Sequence, residues 1–240
     1  MTVDIFFKSY KKDFWLLHYS LLSITKNVTG YNNIIILIPE DEKHEFDTRV
    51  LPERTLIHYV TEYGDGYLFQ QWCKINAASY SDADFILFPD SDCIFDHPID
   101  LQSFLPVPEI LYTPYEQLPD AIIWKKPTEK ILGHPVLYEF MRRNTLIYHR
   151  STLVNLNNWN KDLKGIIMHS QKFSEFNLMG AYAWTYERDK YNFVNTDDWE
   201  YVPPKAIQVW SHASKEPGAS ELHLREYIRI LETLIKAFAI

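Results

Sequence analysis

The chain has 240 residues, 46% hydrophobic and 23% charged, which is ordinary globular composition and long enough to bury a real core. A formal net charge of -8 gives the chain as a whole no attraction to nucleic acid or to an anionic membrane. Neither G-x-x-x-x-G-K-[ST] nor G-x-G-x-x-G occurs, which disfavours an NTPase and a dinucleotide oxidoreductase.

In chain order, Val3 to Phe7 is a short apolar run that predicts a first strand. No basic segment followed by a long apolar stretch and a cleavage site precedes it, so it does not resemble a signal peptide. Phe14, Leu17, Leu21, Leu22 and Ile24 recur near the helical period, and Gly30 marks the stop. Asn33 to Ile38 is continuously apolar and closed by Pro39, the pattern of a strand buried on both faces of a parallel sheet. Glu40 to Thr48 predicts a polar helix and Leu56 to Val60 a third strand. Gly64-Asp-Gly66 opens a helix through Phe69, Trp72, Ile75 and Ala78, and Asp84 to Phe88 is a fourth strand. Strands alternating with helical patterns imply βαβ units and a mainly parallel sheet.

The second half is less regular. Pro106 to Pro135 is proline-rich with one strand, Glu109 to Thr113; Pro135 to Arg143 predicts a short helix and Leu146 to Tyr148 a strand. Phe173 to Thr185 reads as helical, Gln208 to His212 as extended, and Leu224, Ile228, Leu231 and Ile235 stripe a terminal amphipathic helix that packs on its own domain or on a second subunit. The expected organisation is a single α/β domain: an α/β half over about 1–105, a mixed half over about 106–215 and a C-terminal helix over about 216–240. No apolar run reaches the roughly 18 residues that span a bilayer. The two cysteines, Cys73 and Cys93, lack metal-type spacing, and a reducing, cytoplasmic setting is the expectation.

Ligands of open α/β sheets bind beyond the carboxyl ends of the strands, and Pro89-Asp-Ser-Asp92 follows the fourth strand at once. In an extended segment the i, i+2 spacing would turn Asp90 and Asp92 to one side. Two convergent carboxylates suit a hard cation such as Mg²⁺ or Mn²⁺, which takes its remaining oxygens from substrate phosphates and neutralises a diphosphate leaving group. The plainer alternative, a turn and a helix cap, leaves two carboxylates unpaired against a packed sheet edge.

The segment Phe85-Ile-Leu-Phe-Pro-Asp-Ser-Asp-Cys-Ile-Phe95 resembles the strand–D-x-D arrangement of GT-A fold glycosyltransferases, and is closest to small bacterial and phage members. Phe6 to Asp13, Gly66 to Lys74, Ser174 to Asn177 and Trp210-Ser-His212 carry the same resemblance in the same order, over about residues 3–215. It implies a Rossmann-like sheet with a nucleotide-sugar half and an acceptor half, a UDP-sugar donor and Mn²⁺ or Mg²⁺. Ser9, Tyr10 and Asp13 would hold the nucleotide; Gln70 and Lys74, four apart on one helix face, would lie near the D-x-D turn with Ser91. Lys74 would meet a phosphate or hold Asp90. His212 would complete the metal shell of Asp90 and Asp92, and Lys215 would reach the diphosphate.

Glu175 is the candidate general base, since transfer requires deprotonation of the acceptor hydroxyl as an oxocarbenium-like centre develops. Direct in-line attack would invert the anomeric centre. The alternative reading of Ser174-Glu175 is a helix N-cap with a first-turn acid, and Asp197 and Asp198 are fallback bases.

The acceptor is the least determined part. From Trp124 to Arg150, six basic residues (Lys125, Lys126, Lys130, Arg142, Arg143, Arg150) face two acids, Glu129 and Glu139. With Trp124, Arg142 and Arg143 as contacts, this patch suits an anionic glycan or a hydroxymethylated base in phage DNA; a solvated surface is the plain alternative. Two other classes compete: a metal-dependent phosphoryl-transfer enzyme, which would want more clustered acids, and a non-catalytic nucleotide- or carbohydrate-binding module.

Overall fold

The computed structural model describes residues 1–49, 51–141, 145–170, 172–196 and 205–208, together with Arg229, Glu232, Thr233 and Lys236. In chain order the elements are β1 (Val3–Lys8), α1 (Phe14–Asn27), β2 (Val28–Thr29), β3 (Ile34–Pro39), β4 (Thr55–Val60), α2 (Gly66–Ile75), β5 (Phe85–Phe88), β6 (Cys93–Ile94) and β7 (Ile99–Asp100). There follow β8 (Glu109–Pro114), α3 (Ile122–Leu132), β9 (Tyr138–Glu139), β10 (Leu146–His149), α4 (Arg150–Trp159), α5 (Leu163–Met168), α6 (Glu175–Tyr186), β11 (Asn192–Asn195) and β12 (Ile207–Gln208).

The central sheet runs β10-β5-β1-β3-β4. β5, β1, β3 and β4 are mutually parallel, and β10 closes one edge antiparallel to β5. Alternation along the strands divides the core in two. Val3, Ile5, Phe7, Ile34, Ile36, Ile38, Phe85 and Leu87 face α1 with its Leu17, Leu21 and Ile24. Phe6, Ile35, Leu37, Ile86, Phe88 and Tyr148 face the opposite layer, which includes α2 and α6. Burying each such side chain contributes roughly 1.5–3 kcal/mol, so the doubly covered strands β1 and β3 anchor the molecule.

Two features fix the depth of α6. Asn177 Oδ1 accepts the Phe140 backbone N–H at 2.7 Å. At Gly180 the helix backbone meets the Phe140 ring so closely that an added Cβ would come within 2.4 Å of it.

The expected β/α alternation over the first half holds, with the helix after Pro39 reduced to a short 3-10 turn over Glu40–Glu45. The helix expected over Pro135 to Arg143 is corrected: Tyr138 and Glu139 instead pair antiparallel with Pro114 and Thr113, because a neighbouring strand offers ladder bonds that a short helix lacks. A helix that the sequence did not announce, α3, carries Pro127 inside it and ends at Gly133, whose φ of 75° lies in the left-handed region that glycine adopts without penalty. Cys73 and Cys93 are buried free thiols, and burial pushes the Cys73 thiol up to about 12. Among the described residues no helix is long and apolar enough to cross a membrane. The expected terminal helix falls almost wholly outside the described residues.

Candidate functional site

In the order β4-β3-β1-β5 the chain leaves β1 toward β3 on one side and returns to β5 on the other. The carboxyl ends of β1 and β5 therefore flank the switch point where open α/β sheets bind ligands. Ser9 follows β1, its N–H donating to Leu37 O at 3.0 Å. The Ser91 hydroxyl donates to the Ser9 hydroxyl at 2.9 Å, so the loops after β1 and β5 are clasped where the crevice opens.

The D-x-D segment is a turn, and the expectation of an extended segment is corrected. The Cys93 N–H donates to Asp90 O at 3.0 Å, closing four residues into a β-turn, because β6 must begin at once to pair with β12. The two carboxylates consequently have different surroundings. Asp90 Oδ1 accepts from Lys74 Nζ at 2.6 Å and, at 3.5 Å, lies near Gln70 Nε2. Asp92 Oδ1 accepts from Gln208 Nε2 at 3.3 Å.

Lys74 links this turn to the proposed base. Its ammonium also donates to Glu175 Oε1 at 2.7 Å and lies 4.6 Å from the centroid of the Phe176 ring. The side chain is 2% exposed. Burial disfavours the ammonium, but the Asp90 and Glu175 carboxylates outweigh that cost and raise its pKa above that of an ordinary lysine. Lys74 is therefore a permanent cation between two acids.

Glu175 opens α6. Ser174 caps this helix, its hydroxyl accepting from the Asn177 N–H at 3.2 Å, so the cap reading of Ser174 is correct. The Glu175 N–H donates to Gln71 Oε1 at 2.7 Å, and Lys74 takes Oε1 of its carboxylate; Oε2 makes no hydrogen bond among the described residues. Tyr67 donates to Phe173 O at 2.7 Å. Burial raises the Tyr67 phenol, with the Glu175 charge adding to the shift, and Trp124 lies beside its hydroxyl.

Tyr10 joins the same rim. Partial burial raises its phenol, and the charges of Asp13, Glu42 and Asp92 push in the same direction. The structure thus brings Ser9, Tyr10, Asp13, Gln70, Lys74, Asp90, Ser91, Asp92 and Glu175 to one end of the sheet, with Trp124 reaching it through Tyr67. Arg142, Arg143, Asp197, Asp198, Trp210, Ser211, His212 and Lys215 lie outside the described residues. Of the expected basic patch, Arg142 and Arg143 fall outside the described residues, and two of the others engage protein groups. Arg150 donates its guanidinium to the carbonyls of Ser81 and Ala78, and Lys125 lies 3.9 Å from Glu129.

Gln71 was not foreseen. Its signal was available: on α2 it shares a face with Leu68 and Ile75, and a polar side chain at a core position needs an internal partner.

Among the described residues no three His, Cys, Asp or Glu side chains converge as a metal-binding group. Asp90 and Asp92 nevertheless have the chemistry of a Mg²⁺ or Mn²⁺ site, since these cations need only one or two protein carboxylates. No model of a known protein family matches the chain, and no curated protein is significantly similar to it.

Proposed function

We propose that this chain is a glycosyltransferase of the GT-A type, moving a sugar from a nucleotide donor, taken to be a UDP-sugar, to an acceptor hydroxyl. One observation carries the reading: Lys74 joins the D-x-D turn after β5 to the N-terminal acid of α6 at the switch point of a parallel sheet. A nucleotide site and a proton acceptor are thereby held in one buried unit, an arrangement that a simple binding module does not require.

In this reading Ser9, Tyr10 and Asp13 hold the nucleotide over the carboxyl end of β1. Asp90 and Asp92 would hold the divalent cation, which when bound supplies the positive charge that stabilises a diphosphate leaving group. Lys74 holds Glu175 Oε1 at 2.7 Å and so orients the carboxylate. The acceptor oxygen bonds to the anomeric carbon while the bond to the diphosphate oxygen breaks with its electron pair. The hydroxyl proton passes to Glu175 Oε2, the oxygen that Lys74 does not engage. Direct displacement inverts the anomeric centre.

The test is thermal unfolding with UDP-, GDP-, CDP- and dTDP-sugars, each with and without Mn²⁺, because ligands that bind only the folded state raise its apparent stability. Stabilisation by one nucleotide class, seen only with the metal, is expected. No shift with any of them removes the donor site.

A further inference from the structure

A concavity lies away from the Asp90-Ser-Asp92 turn. It is an open cleft of about 710 Å³ between α3 and α5, within the range of roughly 300–1,000 Å³ common for small-ligand sites. Lys126 and Lys130 line one side, one helical turn apart on α3, and Lys172 comes from the segment after α5. Asp162 is the one acid in this lining. None of the three lysines has a carboxylate within ion-pair distance among the described residues, whereas Lys125, their neighbour on α3, is close to Glu129. Ile123, Pro127 and Ile166 supply apolar lining. In a chain of net charge -8, such a concentration of unpaired ammonium groups in a concavity favours an anion.

We propose that this cleft holds the phosphate of a phosphorylated glycan acceptor, a deduction that rests on the transferase reading of the neighbouring site. Its position supports the assignment. Lys172 lies three residues before Glu175, and Ile123 is adjacent to Trp124, which stands beside the Tyr67 hydroxyl near that acid. Lysines approaching from two elements suit a dianionic phosphate, and the apolar lining suits the flat face of a sugar ring. The lining is a local pocket, not a continuous basic track, and its volume fits a glycosyl phosphate better than a duplex. The same phosphate chemistry is present whether the glycan is free or attached to a lipid.

The experiment titrates a hexose 1-phosphate into the intact chain, without divalent metal and with a chelator, followed by calorimetry. Saturable binding that weakens with salt is expected, at least about tenfold weaker in the double variant Lys126→Glu/Lys172→Glu and unchanged in Asp90→Asn. Circular dichroism of the double variant checks its fold, and its metal-dependent nucleotide binding should match that of the parent. Binding that survives the charge reversal, or is lost in Asp90→Asn, overturns the cleft assignment. Loss of nucleotide-sugar binding in the parent with intact phosphate binding instead sinks the transferase reading alone. Vesicles of phosphatidylcholine doped with phosphatidic acid separate the sources: competition with the hexose phosphate supports a lipid-borne acceptor, and no competition supports a soluble one. An oligonucleotide displacing the hexose phosphate at far lower concentration would overturn the proposal in favour of nucleic acid.

Discussion

Lys74 Nζ stands 2.7 Å from Glu175 Oε1, 101 positions further along the chain, and the same nitrogen is 2.6 Å from Asp90 Oδ1. One buried cation therefore sets the relative positions of α2, the turn after β5 and the start of α6. Removing one partner of a buried ion network costs far more than removing an exposed ion pair, because the remaining charges keep their desolvation penalty.

Lys74→Met should destabilise the fold by roughly 3–5 kcal/mol at neutral pH, measured by urea unfolding, since the buried Glu175 and the part-buried Asp90 lose the ammonium they share. The folded-state pKa of Lys74 is raised above its ordinary value of 10.5. Its contribution is therefore fully present below that value and is lost only as pH climbs beyond it toward the folded value. Between pH 6 and 9 (roughly the buffered range) the parent should show no stability change traceable to this lysine. A Met variant as stable as the parent would show that the network is energetically neutral.

Asp92→Asn should leave the far-ultraviolet spectrum and melting temperature near those of the parent and abolish Mn²⁺-dependent nucleotide binding. The substitution keeps a side-chain oxygen able to accept from Gln208 Nε2, 3.3 Å from Asp92 Oδ1, so that contact should change by about 1 kcal/mol or less. Unchanged metal-dependent affinity would remove Asp92 from the ligand set.

Glu175→Gln keeps the shape of the side chain and an oxygen able to accept from Lys74. Donor binding should persist while transfer falls by about 10²–10⁴, the usual contribution of a general base. Near-normal turnover would leave Glu175 as a helix-opening acid and nothing more.

Glu187 tests a network away from the crevice. Partial burial would raise its carboxyl, but hydrogen bonds from Thr152 and Asn155, with the Lys190 ammonium beside it, outweigh that and leave it lowered from 4.5. A depressed folded-state pKa gives stability that is present above the unfolded value and lost as pH falls through the folded one. Glu187→Gln should therefore cost about 1 kcal/mol at pH 7 (a neutral buffer) and progressively less under acid, read from unfolding midpoints across pH. A pH-independent difference would assign the loss to packing instead.

The sheet was legible because its strands announce themselves. Ile34 to Ile38 is continuously apolar and is fully buried, as a strand covered on both faces must be. The turn that presents Asp90 and Asp92 was placed correctly at a strand end but read as extended, since the immediate start of β6 depends on a partner strand far along the chain. Helix α3 was hidden by Pro127, which removes a donor from the helix interior and reads as a break. Lys74 and Glu175 were each marked as chemical residues, yet their pairing was not foreseen; spacing along a helix shows which residues share a face but not which distant helix that face meets. Tyr138 and Glu139 show the reverse case, where pairing with β8 overrides local preference.

The close approach of Gly180 to Phe140 bears on descent. Since the acid at the head of α6 is carried by a helix that rests on an aromatic ring, the two positions cannot drift independently. A methyl group at 180 would demand a smaller residue at 140, and the retreating ring would let the head of the helix shift relative to Lys74. Diverging relatives should therefore change these two sites as a pair.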